Sequence, residues 1–156
     1  MNSVKPWLAL AIGMAVGTAA ASAQPANRPA AGAQSANKLA VSVTGLRNDI
    51  GAVRCGLYAD ANGFPQPGRE VRGAVARING QQALCVFTNL SAGTYAVAAF
   101  HAEQNETRME YGMFGRPKQG YGFSGNPSSS FGAPSFSAAA FDYRGGSQTV
   151  PVTLQY

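Results

Sequence analysis

The sequence predicts an all-β domain built as an antiparallel β-sandwich of about seven strands. Short segments in which apolar and polar residues alternate recur along the chain, and turn-forming residues separate them. No segment after residue 38 has the periodicity of an amphipathic helix. A long loop rich in glycine and aromatic residues, residues 100–136, interrupts the pattern before the last strands.

The alternation is clearest in the first strand, where Leu39, Val41 and Val43 are expected on one face. Asn79 and Gly80 predict a tight hairpin between the third and fourth strands, because both residue types tolerate positive φ. Pro151 removes a hydrogen-bond donor from the last strand, which places that position at a sheet edge or toward solvent. The predicted strands are residues 39–44, 51–58, 71–78, 82–89, 94–101, 138–143 and 150–156.

Residues 1–23 have the organisation of a secretory signal peptide. Lys5 supplies a positive amino-terminal region, an apolar core runs from Trp7 to about Ala20, and small residues precede a cleavage site after Ala23. The apolar core, about 14 residues long, is shorter than the roughly 20 residues that cross a bilayer as a helix. We therefore expect a periplasmic or secreted protein with no membrane span after signal cleavage.

Residues 24–38 are rich in Ala, Pro, Asn, Gln and Ser without apolar periodicity, which is typical of a flexible leader. Residues 39–156 then form one domain of ordinary size. Without Lys5 the chain has eleven Lys and Arg residues against seven Asp and Glu residues, and the charges are scattered. Because no run of basic residues or nucleic-acid-binding motif is present, we expect no nucleic-acid partner.

Two cysteines, Cys55 and Cys85, each lie in the middle of a predicted strand. Paired cysteines are typical of small domains in oxidising compartments, so export favours a disulfide between them. Closing a loop of about 30 residues would stabilise the fold by roughly 3 to 4 kcal/mol. A redox or metal-binding role would need a closer motif such as C-x-x-C, which is absent.

The long loop contains a distinctive pattern. Phe100 and His101 precede an acidic, Asn-containing turn, and residues 114–126 then read FGRPKQGYGFSGN. This pattern resembles F-G-x-P-x-x-G-Y-G-F-S-x-N, the signature of a family of short exported bacterial proteins, the domain-of-unknown-function family 2141. The resemblance extends from about Leu39 to Tyr156. It implies export, and it implies no activity, because none is assigned to the family.

A second resemblance concerns the fold. The segment from Phe87 to Tyr95 has the pattern of strand, tight turn and strand around Ala92 and Gly93. This phrase is similar to those of prealbumin-like modules and of bacterial adhesin repeats. The resemblance implies an Ig-like or prealbumin-like sandwich.

His101 is the only histidine of the chain, and this excludes most catalytic arrangements. A Ser-His-Asp or Cys-His arrangement would need its imidazole as the general base, and no nucleophile motif accompanies it. Zinc sites need three or four protein ligands, usually including more than one Cys or His. We therefore expect a protein that is not an enzyme and that has no cofactor.

The segment after His101 bears on calcium. Members of the family carry oxygen-bearing residues at alternate positions there, and the resemblance implies a calcium-binding loop. In this chain Ala102 replaces the first oxygen ligand and Gln104 is neutral. Glu103, Glu106 and Glu110 remain as weak candidates for metal ligands. We interpret the segment as a degraded calcium-binding loop and expect calcium not to matter to this protein.

The aromatic residues of the long loop allow two functional hypotheses. The rings fold back over the sandwich as packing, in a structural or accessory envelope protein, or a subset of them stays exposed as a patch for a glycan, a peptide or a protein of the cell envelope. The two accounts can both hold: we favour self-packing of the loop, and the function that we expect is a binding module that uses the exposed subset. Full burial of Tyr121 and Phe123 would favour the structural hypothesis. The candidate binding residues are His101, Phe114, Tyr121, Phe123, Asn126 and Phe131.

The signal-peptide assignment leads to a direct prediction. The mature protein is expected to begin at Gln24, because the small residues before it match the preference of signal peptidase. Intact-mass measurement of protein recovered from the envelope fraction checks this. A mature chain that retains Lys5 would contradict the assignment.

Overall fold

The computed structural model describes residues 37–128 and 132–156. The predicted signal peptide, most of the predicted leader and Phe131 lie outside these residues. Within them the all-β prediction is confirmed, since the helical elements are one 3₁₀ turn, Met113–Gly115, and one short helix, α1, Phe136–Ala139. No described helix is long and apolar enough to cross a membrane. The strands are β1 (Lys38–Thr44), β2 (Ala52–Tyr58), β3 (Arg72–Asn79), β4 (Gln82–Thr88), β5 (Gly93–Ala102), β6 (Tyr121–Phe123), β7 (Phe141–Tyr143) and β8 (Ser147–Thr153).

The strands form one mixed sheet in the order β6-β5-β2-β3-β4-β1-β8, and β7 pairs with β5. Neighbouring strands are antiparallel except β1 and β8, which run parallel with Val41 opposite Val150. Tyr121, in β6 at one end of this order, also bridges to Gln155, just beyond β8 at the other end. The sheet is therefore nearly barrel-shaped, and the expected antiparallel sandwich of about seven strands is not confirmed. The alternation pattern reports which face of a strand is buried, and it contains no information about strand order.

Every second residue of the long strands fills the interior of the curved sheet, as the alternation predicted. In β1, Leu39, Val41 and Val43 are fully buried. Val53 and Leu57 of β2 are buried in the same way. Burial of this apolar surface is the main favourable term in folding, at about 25 cal/mol per Å². Each of the other strands except the short β6 adds residues to the same core.

The predicted disulfide is confirmed. Cys55 of β2 and Cys85 of β4 are bonded, with 6.4 Å between their Cα atoms, and both are buried in the core. In the sheet order β3 separates β2 from β4, so the bond crosses the interior instead of joining adjacent strands. The described residues contain no free cysteine.

The hairpin between β3 and β4 turns through Gly80 and Gln81, one residue later than the predicted Asn79 and Gly80. Asn79 instead pairs with Gln82 in the ladder. Both turn residues have a φ of 59°, as expected for a two-residue turn that matches the twist of the sheet. Asp49 accepts hydrogen bonds from the backbone N–H of Gly80 at 2.9 Å and of Gln81 at 2.6 Å. The turn is therefore held from outside the hairpin.

The carboxyl-terminal elements differ from the predicted boundaries. The segment predicted as strand 138–143 begins as helix α1, whose Ser135 side chain accepts a hydrogen bond from Ala138 N, and only its end forms β7. β8 starts at Ser147, before the predicted residue 150. Pro151 is exposed in this last strand of the order, as its missing donor predicted. β6 lies inside the segment predicted to be a loop.

The two ends of the sheet meet at a glycine. Tyr121 N donates to Gln155 O at 2.9 Å, and Gln155 N donates to Tyr121 O at 2.8 Å. At Gly122 a side chain would collide with the backbone oxygen of Thr153 and with the Val152 side chain. Only glycine allows the backbones of β6 and β8 to approach this closely.

The disulfide gives a prediction about stability. Replacing both Cys55 and Cys85 by Ala should lower the free energy of unfolding by about 3 to 4 kcal/mol, because the unfolded chain regains the freedom of a 30-residue loop. Urea unfolding of wild type and variant measures the difference. Wild type in reductant should approach the variant, and equal stability of the oxidised wild type and the variant would contradict the prediction.

The closure at Gly122 gives a second prediction. Gly122→Ala should lower the free energy of unfolding by about 1 to 3 kcal/mol, because the methyl group forces β6 away from β8. Gly73→Ala in β3 is the matched control, because a methyl group there meets no atom within 4 Å. Thermal melting of both variants measures the effect. Equal losses of stability would show that close approach at Gly122 is not the cause.

Candidate functional site

The outer face of the sheet carries a cleft of about 210 Å³ across β3, β2, β5 and β6. Its side chains come from the strand positions that alternate with the core residues. The pairing register arranges them in two rows, each crossing all four strands. The first row is Gly73, Gly56, Ala98 and Phe123, and the second row is Val75, Arg54, Phe100 and Tyr121.

Three of the four positions of the first row carry little or no side chain. Gly56 and Gly73 lack a Cβ atom, and Ala98 carries only a methyl group. A Cβ atom at Gly73 would meet nothing within 4 Å, so the space above it is open. Glycine in the interior of a strand weakens the strand and often marks a place where a ligand or another backbone approaches closely.

One wall of the cleft is an aromatic cluster on the outside of the sheet. Phe64 lies at its centre, with its ring centroid 5.3 Å from Tyr58, 5.7 Å from Phe123 and 6.0 Å from Phe136, each in an edge-to-face arrangement. Burial raises the pKa of Tyr58 to about 12, and its hydroxyl donates to the backbone oxygen of Gln66 at 3.3 Å. The wall therefore combines rigid rings with a neutral phenol.

The cover of the cleft comes from the loop between β5 and β6, residues 103–120, through Arg108, Met109 and Tyr111. This loop forms a small hairpin of its own, in which Tyr111 bridges to Pro117. Its tip projects away from the protein, and Phe114 is 94% exposed with a φ of 60°. Backbone hydrogen bonds hold this covering loop together, including the one from Lys118 N to Glu110 O at 2.9 Å.

Arg54 places a charged guanidinium group in the lining of the cleft. It lies in the middle of β2, in the second row between Val75 and Phe100. Its Nε atom is buried and has no hydrogen-bond partner among the described residues. A charged donor that loses water without gaining a partner is costly, so this atom marks a position where an external acceptor would be stabilised.

A model of the family of uncharacterized proteins conserved in bacteria, DUF2141, matches residues 41–151. The chain belongs to this family. The match contains β2 to β7 completely and most of β1 and β8, so the DUF2141 region includes the whole cleft. No curated protein and no solved structure matches the chain significantly.

His101 of this DUF2141 protein is fully buried and does not line the cleft. Its Nε2 lies 2.7 Å from the backbone oxygen of Ile50, and its Nδ1 lies 2.6 Å from the Tyr156 hydroxyl. A carbonyl oxygen only accepts, so Nε2 donates to Ile50, and in the neutral imidazole Nδ1 then accepts from Tyr156. The phenol oxygen in turn accepts from Arg47 N at 3.2 Å. His101 therefore belongs to a buried hydrogen-bond network, and the ligand contact predicted for it stays a prediction.

Glu103 is connected to the His101 network through Arg47. Arg47 donates to both of its carboxylate oxygens, through Nε at 2.9 Å and through Nη2, and Asn48 Nδ2 donates at 2.6 Å. These hydrogen bonds, that of Arg47 above all, lower the pKa of Glu103 to about 2. The Arg47 guanidinium also lies 4.7 Å from the centre of the Tyr156 ring. This network fixes the start of the loop that covers the cleft.

The other two weak metal candidates also have protein partners. Glu106 accepts from the backbone N–H of Gln104 at 2.8 Å, and Glu110 lies 3.5 Å from Lys118 Nζ. No three His, Cys, Asp or Glu side chains of residues 37–128 and 132–156 gather into a potential metal site. The expectation that calcium does not matter stays a prediction.

The remaining candidate binding residues fall in different places. Tyr121 and Phe123 line the cleft and are half-buried. Phe114 lies at the exposed loop tip. Asn126 is exposed, and its side-chain oxygen accepts from Thr153 N at 2.8 Å. Phe131 lies outside the described residues.

Sequence reasoning missed the residues that define the cleft itself. Arg54 and Gly56 share the outer face of β2, and Gly73 pairs with Gly56 on β3. The available signal was glycine inside two strand patterns, because glycine is unfavourable there unless something must approach closely.

The Arg47–Glu103 pair gives a prediction about pH. The folded-state pKa of Glu103 is lowered, so its stabilising effect is complete above its ordinary pKa of about 4.5 and is lost as the pH falls toward 2. Wild type should therefore melt at a higher temperature than Glu103→Gln at pH 7. The corresponding difference in the free energy of unfolding is the small one typical of exposed ion pairs, roughly 0.2 to 1 kcal/mol. Melting curves at pH 7, 4 and 2 should show the difference shrinking. A difference that is constant over this range would contradict the assignment.

Proposed function

We propose that this protein is a non-enzymatic, exported binding module that holds a small ligand group in the cleft beneath its aromatic loop. The observation that carries the proposal is the open space above Gly73, in a row of small residues with Gly56 and Ala98 on the outer face of the sheet. Binding sites are typically concave and mostly apolar, with few polar groups. The cleft has this composition, with Arg54 as its central polar group.

The state of Tyr121 and Phe123 supports binding over simple packing. Both rings are half-buried, and their centroids lie 5.9 Å apart in an edge-to-face arrangement. If the aromatic loop served packing alone, these rings would be expected to be fully buried. Both rings line the cleft, so a ligand there would gain aromatic contact.

The absence of enzymatic activity is supported by the state of the reactive side chains. Both ring nitrogens of His101, the single histidine of the sequence, have hydrogen-bond partners inside the protein. Both cysteines of the sequence form the disulfide. Neither an imidazole base nor a thiolate is therefore available at the cleft.

Export is supported by two independent features. Residues 1–23 have the signal-peptide organisation, and the Cys55–Cys85 bond is of a kind that persists in oxidising compartments. The ligand would then belong to the cell envelope, as a glycan, a peptide or a protein. A cleft of about 210 Å³ accepts one ring or one side chain of such a partner, because a cavity of about 150 Å³ already holds benzene.

The test uses a neutral aromatic probe, benzyl alcohol, in NMR titrations. We expect saturable shifts of the backbone amides of Gly56, Gly73 and Ala98 in wild type. Gly73→Leu should abolish them, because the new side chain enters the open space above β3. Arg77→Leu is the matched control, since Arg77 is exposed on the same strand and does not line the cleft.

Two results would reject the cleft as a binding site. One is the absence of saturable shifts with the neutral probe and with charged analogues of similar size. The other is equal binding by wild type and Gly73→Leu, which would place the probe elsewhere on the protein.

A further inference from the structure

The cleft contains a positive charge without a counterion. The buried Nε atom of Arg54 has no partner among the described residues, and no described carboxylate forms an ion pair with this guanidinium. An arginine in the middle of a strand that packs against apolar neighbours loses much of its hydration. A bound anion would restore the missing hydrogen bond and offset that cost.

The chain has no spare side-chain carboxylate to supply this anion. Its sequence contains seven Asp and Glu residues, and all seven lie among the described residues with partners of their own. Asp49, Asp60, Glu70 and Glu106 accept hydrogen bonds from backbone N–H groups, Asp142 accepts one from Thr94, and Glu103 and Glu110 form ion pairs. No described side-chain carboxylate is therefore free of other partners and available to Arg54.

The other charged residues that line the cleft do not neutralise Arg54. Arg108 in the covering loop adds a second positive charge, and Glu70 is the one acidic residue of the described lining. Glu70 accepts a hydrogen bond from the backbone N–H of Gly68 at 2.7 Å and forms no ion pair with Arg54.

The side chains next to Arg54 in the second row are one aliphatic group and two flat aromatic rings. Its partners in the second row, Val75, Phe100 and beyond it Tyr121, present an aliphatic group and two rings. The open space above Gly73, in the neighbouring row, leaves room for a planar group. The volume of about 210 Å³ exceeds the roughly 150 Å³ that holds benzene by about the space of a small polar substituent.

From these features we propose that the cleft binds a small carboxylate carried on a single aromatic ring, with the carboxylate on Arg54 and the ring over Gly73, beside the Tyr58 ring that covers Gly56. Because Nε is buried in the free protein, the Arg54 side chain must turn to bring Nε and one Nη atom to the cleft. A carboxylate then accepts one hydrogen bond from each of them, the planar geometry that arginine favours. Free aromatic acids and an aromatic acid group at the end of a larger envelope molecule share this chemistry. The inference rests on the proposed function of the cleft.

The test compares three probes of nearly equal shape that carry different charges: benzoate, neutral benzamide and cationic benzamidine. NMR titration of wild type should give a dissociation constant for benzoate at least about tenfold lower than for benzamide, with benzamidine weakest. Arg54→Gln should bring benzoate to the level of benzamide. Arg54→Lys keeps the charge but loses the planar pair of donors, so it should show an intermediate preference.

Arg77→Gln is the control for the loss of one positive charge, because Arg77 is exposed on β3 and outside the cleft. It should leave the preference for benzoate unchanged. Melting curves of each variant establish that the fold is retained. The comparison of the three probes on wild type does not depend on the folding of any variant. To separate free acids from attached ones, a peptide with carboxyl-terminal Phe is compared with its carboxyl amide.

The outcomes separate the two proposals. Equal binding of benzoate and benzamide by wild type rejects the carboxylate and leaves the cleft as a binding site. A benzoate preference that persists in Arg54→Gln rejects the role of Arg54. If none of the three rings binds, the proposed function itself is rejected.

Discussion

The closure of the sheet at Gly122 is the constraint on which the rest of the structure depends. Because β6 approaches β8 so closely that only glycine fits, the short strand is held between β5 and the chain beyond β8. This fixes the direction of Tyr121 and Phe123, whose side chains alternate with Gly122 and lie over the outer face. The end of the covering loop is fixed as well, since Gly120 O accepts from His101 N at 2.8 Å.

The buried network around His101 fixes the other end of that loop. Its imidazole joins the backbone of Ile50 to the Tyr156 phenol, and the Tyr156 ring lies against Gly120. Arg47 connects this ring to Glu103, where the loop begins. A segment that leaves and rejoins the sheet at two fixed points can cover a cleft with only a small hairpin and one 3₁₀ turn of its own.

The sequence was informative about burial and uninformative about pairing. The alternation of Leu39, Val41 and Val43 identified the inner face of β1, but the parallel pairing of β1 with β8 depends on tertiary packing that no local pattern records. β6 was missed because three residues with a central glycine have little intrinsic preference for a strand. The disulfide was predictable, because only one pairing of two cysteines exists.

The candidate site was predicted only in part. Tyr121 and Phe123 stood out because rings alternate with glycine, a pattern that needs a structural reason. A lone arginine at an outward strand position, such as Arg54, is indistinguishable in sequence from a solvated surface residue. Arg54 is partly buried by a loop that begins nearly fifty residues later in the chain. The position of that loop depends on closure of the sheet, so no local sequence pattern reports the burial.

The most direct measurement of the central claim observes the Nε–Hε group of Arg54 by proton–nitrogen correlation NMR. The account predicts that benzoate shifts this resonance strongly and slows its exchange with water, because the proton gains an acceptor that the free protein lacks. Equimolar benzamide should change it far less. A resonance that is unaltered while benzoate saturates the protein would contradict the account, because the anion would then be bound away from the guanidinium.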